Sequence, residues 1–241
     1  MADVEVTVAG DVVIIRLCRP AKRNAITAAM YATLADELTA AEDSGAAVVV
    51  LTGAGGAFTA GNDLLDMQAN PPLGDDPPPV RFLSALTALG AVLVAAVDGP
   101  AVGVGTTVLL HCDLVYATAR STFRLPFVDL GLVPEAASTL LLPRLVGHQR
   151  AAQLMLFGER FDAAAAAELG IVTQVVADGS ALDQLVAERT AALAAKPRAA
   201  LRATKALLLD VTARTVPKRL ELDRRVLQSL LPTNPNHSKA D

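Results

Sequence analysis

At 241 residues, 52% hydrophobic and 19% charged, the chain has ample apolar material for a buried core and too little charge for a disordered one. Its net charge of −4 and pI near 5.4 exclude the broad basic surface that nucleic acids require, so an anionic ligand must meet a few locally placed Lys and Arg side chains. No apolar run approaches the ~18 residues of a membrane-spanning helix, the opening MADVEV has no basic or apolar signal stretch, Ser238–Asp241 carries no sorting tripeptide, and both cysteines (Cys18, Cys112) sit in apolar segments; the expectation is a cytoplasmic protein.

Val4–Val8 and Val12–Leu17 flank Ala9-Gly10-Asp11 and predict a strand–turn–strand pair. A basic loop, Arg19–Ala25, leads to Thr27, a candidate N-cap for a helix whose Met30, Leu34, Leu38 and Ala41 recur at helical spacing. Ala47–Thr52 predicts a buried strand that runs into a glycine-rich turn, Gly53–Leu64, before a further helix. Met67–Pro79 holds five of the 14 prolines and reads as an irregular loop, followed by a helix over Arg81–Leu89.

Val92–Val97, apolar throughout, predicts a fully buried strand that stops at Asp98-Gly99-Pro100, where Pro blocks further sheet pairing. The next apolar run, Val104–Leu110, follows Gly103 and Gly105 and predicts a buried helix. A strand, a glycine turn and a helix start aim unpaired backbone N–H groups above the sheet, where they favour negative charge on an oxygen or phosphate. Leu114–Ala117 and Ser121–Phe123 read as short strands, and Leu125–Thr139 as a loop entering a helix. From Arg150 helices dominate, over 150–157, 162–169, 181–195, 197–209 and 217–230, with one strand at Ile171–Val176. Strands alternating with helices before a helical tail predict an α/β fold.

Several chemistries lack their motifs. No glycine turn continues as Gly-Lys-Ser/Thr, and Gly103-Val104-Gly105 lacks the third glycine of a dinucleotide fingerprint. His111, His148 and His237 are scattered, without metal-ligand spacing, and no Gly-x-Ser-x-Gly elbow occurs. Backbone dipoles plus a carboxylate are what remain.

Three ordered stretches, Ala57-Phe58-Thr59-Ala60-Gly61-Asn62-Asp63-Leu64, Asp98-Gly99-Pro100-Ala101-Val102-Gly103 and Cys112-Asp113, together with Arg19–Ala25 and Leu142–Phe157, resemble the crotonase (enoyl-CoA hydratase/isomerase) superfamily. The resemblance implies a spiral of ββα units over residues 1–195, a helical trimerisation region over 196–241, and a homotrimer or a hexamer built from two trimers. It implies an acyl-CoA thioester substrate, with no separate cofactor. Asn62 and Val104 fall where that family's two backbone N–H groups polarise the thioester oxygen. Each such donor is worth roughly 3 kcal/mol of barrier in a dry site. By the same resemblance Lys22, Arg23 and Ala25 lie near the CoA phosphates and adenosine, and Ala60, Asp63 and Leu64 near the adenine.

The reaction is read from the acids. Thr107 and Phe127 stand where hydratases of that family carry their two glutamates, which counts against hydration. These two residues and Phe82 are expected to wall the acyl pocket. Glu135, in Gly131-Leu132-Val133-Pro134-Glu135, looks like the single proton-carrying glutamate of the peroxisomal-type Δ3,Δ2-enoyl-CoA isomerase branch. The competing reading makes Pro134 the first residue of a helix and Glu135 a dipole-stabilised acid in its first turn. Asp129 is a rival carboxylate, expected to sit in a surface salt bridge. An enoyl-CoA hydratase or ring-type acyl-CoA isomerase with a non-standard site, and a non-catalytic acyl-CoA-binding protein, stay open.

Overall fold

Alternation along the strands divides the molecule into layers. The structure is a computed structural model that describes residues 2–71, 74–210 and 216–230. Pro72 and Leu73 of the proline-rich loop, and the C-terminal stretch with His237 and Ser238–Asp241, lie outside the described residues. The strands are Val4–Ala9 (β1), Val12–Leu17 (β2), Val48–Gly53 (β3), Val92–Val97 (β4), Pro100–Val102 (β5), Leu114–Thr118 (β6), Thr122–Arg124 (β7), Phe161–Asp162 (β8) and Gln174–Val176 (β9). The helices are Ala28–Asp43 (α1), Leu64–Ala69 (α2), Pro78–Ala88 (α3), Val104–Thr107 (α4), Ser138–Val146 (α5), His148–Phe157 (α6), Ala163–Glu168 (α7), Gly179–Ala194 (α8), Arg198–Leu209 (α9) and Val216–Leu230 (α10).

Among the described residues, β1 and β2 form the expected antiparallel hairpin, and β3, β4, β6 and β9 continue the same sheet in parallel, in the order β1-β2-β3-β4-β6-β9. One face, carrying Val13, Ile15, Val49, Leu51, Leu93 and Ala95, buries itself against Met30, Leu34 and Leu38 of α1 and Phe82 and Leu86 of α3. The other face, carrying Val48, Val50, Val92 and Val94, packs on Leu182 and Leu185 of α8 and Leu201 of α9. Each fully buried Leu, Val or Phe removes enough apolar surface for roughly 1.5–3 kcal/mol. Thr27 caps α1 as expected, its hydroxyl accepting from the Met30 N–H at 3.2 Å. Helix α9 is also tied down by charge: Lys205 reaches Asp113 at 2.8 Å and the Ala91 carbonyl at 2.7 Å.

Three boundary expectations are corrected. Pro100 does not end sheet pairing; it is the first residue of β5, which lies beside β7 in a second sheet of order β5-β7-β8. Proline lacks only the N–H, and the Pro100 carbonyl accepts from both Phe58 (3.0 Å) and Thr59 (3.1 Å). The run Val104–Leu110 is one short turn of α-helix followed by a tighter turn at Val108–His111, because the Asp113 N–H must already reach the Leu93 carbonyl (2.8 Å) to start β6. The last strand is confined to Gln174–Val176, since the N–H groups of Ile171 and Val172 both turn back to the Ala166 carbonyl at the end of α7.

Candidate active site

Two chain segments lie side by side and set the backbone of the site. Thr59 bridges Ala101 in parallel, and the Val102 N–H donates to the Thr59 carbonyl at 3.0 Å. The approach is so close that a Cβ on Gly61 (φ +90°) would stand 2.7 Å from the Val102 carbonyl oxygen, and one on Gly105 would run into the Thr59 Cγ2 methyl. Three residues beyond the bridge on the two segments come Asn62 and Val104. Among the described residues neither of their N–H groups has an acceptor. Val104 opens α4, so its N–H is a helix donor with no partner further back.

Asn24, which the sequence pattern did not single out, locks these segments to the basic loop. It is fully buried at φ +56° and its carboxamide donates to the carbonyls of Ala54 and Ala57, both at 2.8 Å, while its Oδ1 accepts from the Arg19 N–H at 2.9 Å. Lys22 and Arg23 stand exposed on that loop. The Ala60 N–H donates to the Arg23 carbonyl at 2.8 Å, and Ala25 is held at both its N–H (to Lys22) and its carbonyl (from Arg19). Asp63 caps α2, and the Arg19 guanidinium at 2.7 Å holds its carboxyl below the usual carboxylate range. Its main-chain N–H and carbonyl are also taken, by Ile26 and Met67, which among the described residues leaves the Ala60 carbonyl and the Leu64 N–H as the open main-chain groups of this set.

Glu135 is not a helix-start residue, so the competing reading is corrected. Helix α5 begins at Ser138, and Ala136 and Ala137, at φ +54° and +51°, separate it from Glu135. This corner is held on both sides: the Glu135 carbonyl accepts from the Ser138 N–H (3.0 Å) and hydroxyl (2.6 Å), and the Ala136 carbonyl accepts from His111 Nε2 (2.8 Å). The side chain enters a cavity of about 790 Å³ whose lining includes Tyr31, Asn62, Met67, Phe127 and Leu132. There Oε1 is buried with no hydrogen-bond partner among the described residues. Burial pushes the Glu135 carboxyl above the ordinary glutamate value, and the neighbouring Asn62 side chain acts in the opposite sense.

The other carboxylates lining the cavity are engaged elsewhere. Asp63 pairs with Arg19, Asp66 accepts from the Ala28 N–H at 2.7 Å, and Asp76 faces Arg81 at 3.8 Å. Asp129 lies outside the cavity in the expected surface pair, with Arg124 at 3.0 Å. Phe127 lines the main cavity. Phe82 and Val104 line a small apolar pocket that shares Ile26 with it. Thr107 lines neither; it is fully buried, its hydroxyl turned back to the Val104 carbonyl at 3.4 Å. Tyr31 was also missed. It falls on the same helical stripe as Leu34 and Leu38, and a polar tip on an apolar stripe is the signal that could have found it. Among the described residues no three His, Cys, Asp or Glu side chains gather as a metal site.

A family model described as enoyl-CoA hydratase/isomerase matches residues 7–239. Enoyl-CoA delta isomerase 2 of Homo sapiens is 35% identical over 197 residues, which are 79% of this chain and 50% of that protein. The chain thus spans about half the length of the delta isomerases it matches. The 1,2-epoxyphenylacetyl-CoA isomerase of Escherichia coli (strain K12) is 36% identical over 222 residues, 88% of this chain and 84% of that one. Among solved structures, a protein of Thermobifida fusca YX described as an enoyl-CoA hydratase, in complex with acetoacetyl-CoA, superposes with a TM-score of 0.86 at 33% identity, covering 97% of this chain and 96% of its own.

Proposed function

The chain belongs to the enoyl-CoA hydratase/isomerase family, and on that premise we propose that it moves a double bond from C3 to C2 of an enoyl-CoA with one carboxylate carrying the proton. One observation carries this reading: among the described residues, a buried carboxylate oxygen without a hydrogen-bond partner, Oε1 of Glu135, enters the cavity that Asn62 also lines, while Phe127 lines that cavity and Thr107 is turned away from it. In the proposed reaction Glu135 takes a proton from C2 of a 3-enoyl-CoA. The C2–H electron pair becomes a C1–C2 double bond and pushes charge onto the thioester oxygen, conjugated with the C3–C4 double bond, and the N–H groups of Asn62 and Val104 hold that oxygen of the resulting dienolate. Glu135 then returns the proton at C4, leaving the double bond at C2 and the acid ionised as it began. An apolar wall suits the abstraction at C2, because a carboxyl with a raised pKa is a stronger base when ionised.

Lys22 and Arg23, exposed on the loop that Asn24 anchors, are positioned in this reading to meet CoA phosphates, with the Ala60 carbonyl and Leu64 N–H left open toward the adenine. We also propose that residues 196–241 mediate assembly into a trimer or a pair of trimers. Leu220 and Leu227, two turns apart on α10, are exposed in the single chain. Separate incubation with 3-hexenoyl-CoA and crotonyl-CoA tests the reaction. Conversion of the first to the conjugated 2-enoyl thioester without hydration of the second supports it. Hydration of crotonyl-CoA would favour the hydratase reading, and binding of both without turnover would favour an acyl-CoA carrier.

A further inference from the structure

The phenol of Tyr31 is 3% exposed, yet it ends among polar groups at the edge of the cavity. Its hydroxyl lies 2.5 Å from Asn62 Oδ1 and donates its one proton there. The ring is fixed by α1 and by Phe82, whose ring centroid is 5.5 Å away. An Asn carboxamide has a donor end and an acceptor end, and rotation about its last side-chain bond exchanges them at little cost. With Oδ1 claimed by Tyr31, the amide N–H2 is the end left to face Glu135, which lines the same cavity and whose carboxyl pKa the Asn62 side chain lowers.

We propose that Tyr31 is a positioning residue: by donating to Asn62 Oδ1 it fixes the carboxamide so that Glu135 is met by a donor and never by a second acceptor. The inference rests on Glu135 being the proton-carrying group. A donor favours the ionised carboxylate, the form that can take a proton from C2, and an acceptor favours the neutral acid. The remaining groups around Glu135 leave this duty to Asn62. Asp63, Asp66 and Asp76 line the cavity but are occupied by Arg19, the Ala28 N–H and Arg81, and His111 reaches only the Ala136 carbonyl. Among the described lining residues there is no Lys, Arg or His. Tyr31 stays a neutral donor, because burial and the facing Glu135 charge both push its hydroxyl pKa up.

Tyr31→Phe keeps the ring against Phe82 and removes only the O–H. The proton on Glu135 is followed directly by carbon-13 NMR of protein labelled at the glutamate carboxyls, the resonance being assigned by its loss in Glu135→Gln. The expected result is a titration midpoint moved to higher pH, with the acid dissociation constant lowered about threefold or more, and no further movement when Tyr31→Phe is added to Asn62→Leu. An unchanged midpoint, or the same movement in the Asn62→Leu background, would overturn the proposal. In a second arm, which does not alter packing, both tyrosines (Tyr31 and Tyr116) are replaced by 3-fluorotyrosine. This stronger donor is expected to lower the Glu135 midpoint, and a midpoint unchanged or raised counts against Tyr31. The readout is a proton on the free protein, so it stands even if 3-hexenoyl-CoA proves not to be a substrate.

Discussion

Replacing Glu135 by Gln should make the protein more stable and nearly inactive at once. The native carboxylate leaves Oε1 buried without a partner, and an unsatisfied buried polar atom costs about 1–3 kcal/mol, more when it is charged. The amide of Gln fills the same volume without the charge but also leaves one atom unpaired, so the net gain should be about 1–2 kcal/mol at pH 7.5. In a domain of this size that raises Tm by about 3–6 °C. Burial lifts the Glu135 pKa above its unfolded value of roughly 4.3. The folded state therefore holds the proton more tightly, and the native protein loses stability as pH climbs from the unfolded value through the folded one. Gln has no such proton, so the variant's advantage should be absent at pH 4 and complete above the folded pKa. Urea unfolding at pH 4 and pH 7.5 measures this difference, and turnover of 3-hexenoyl-CoA should fall by about 10²–10⁴. A Gln variant no more stable at pH 7.5 than the native chain, or equally stabilised at both pH values, would refute the reasoning about burial. One that kept its turnover would refute the role of the acid.

Gly105→Ala should drive the Thr59 and Val104 segments apart, lowering kcat/KM on 3-hexenoyl-CoA about 10²-fold while far-UV circular dichroism stays unchanged; near-native activity would mean the pairing does not set the donors. Asn24→Ala should cost about 3–5 kcal/mol in urea unfolding, because the buried Ala57 carbonyl loses its donor, the Arg19 N–H loses its acceptor, and Ala must take a left-handed φ; a cost under about 1 kcal/mol would show that water replaces the carboxamide. Lys205→Met should cost about 2–4 kcal/mol by the same measurement, since Asp113 loses its counter-charge, keeping only the Leu93 N–H, and the Ala91 carbonyl loses its lysine donor.

Sequence reasoning succeeded where a local rule was strong enough to survive tertiary packing. Val92–Val97 has six apolar residues in a row, which only a strand covered on both faces can bury, and β4 has those bounds. Thr27 could be read as a cap because Met30, Leu34 and Leu38 behind it already fixed the helix phase. It failed where a partner distant in the chain decides. Pro100 pairs with Thr122, and nothing within a few residues of either reports the other. The turn at Ala136 and Ala137 is equally silent, since two alanines are good helix formers and their left-handed φ values come from the Ser138 and His111 hydrogen bonds. Asn62 was placed for its main-chain N–H, but its side-chain contact with Tyr31 spans 31 residues and has no spacing rule.

The Asn62 and Val104 donors belong to the main chain, in segments whose glycines leave no room for another alignment, whereas the acid hangs from a separate corner between β7 and α5. In the proposed reaction, polarising power thus belongs to the scaffold, and a side-chain change at the acid's corner leaves those N–H groups in place. A descendant of this protein could relocate or add one carboxyl at a position such as Phe127 and acquire different chemistry while the paired main-chain N–H groups passed through untouched.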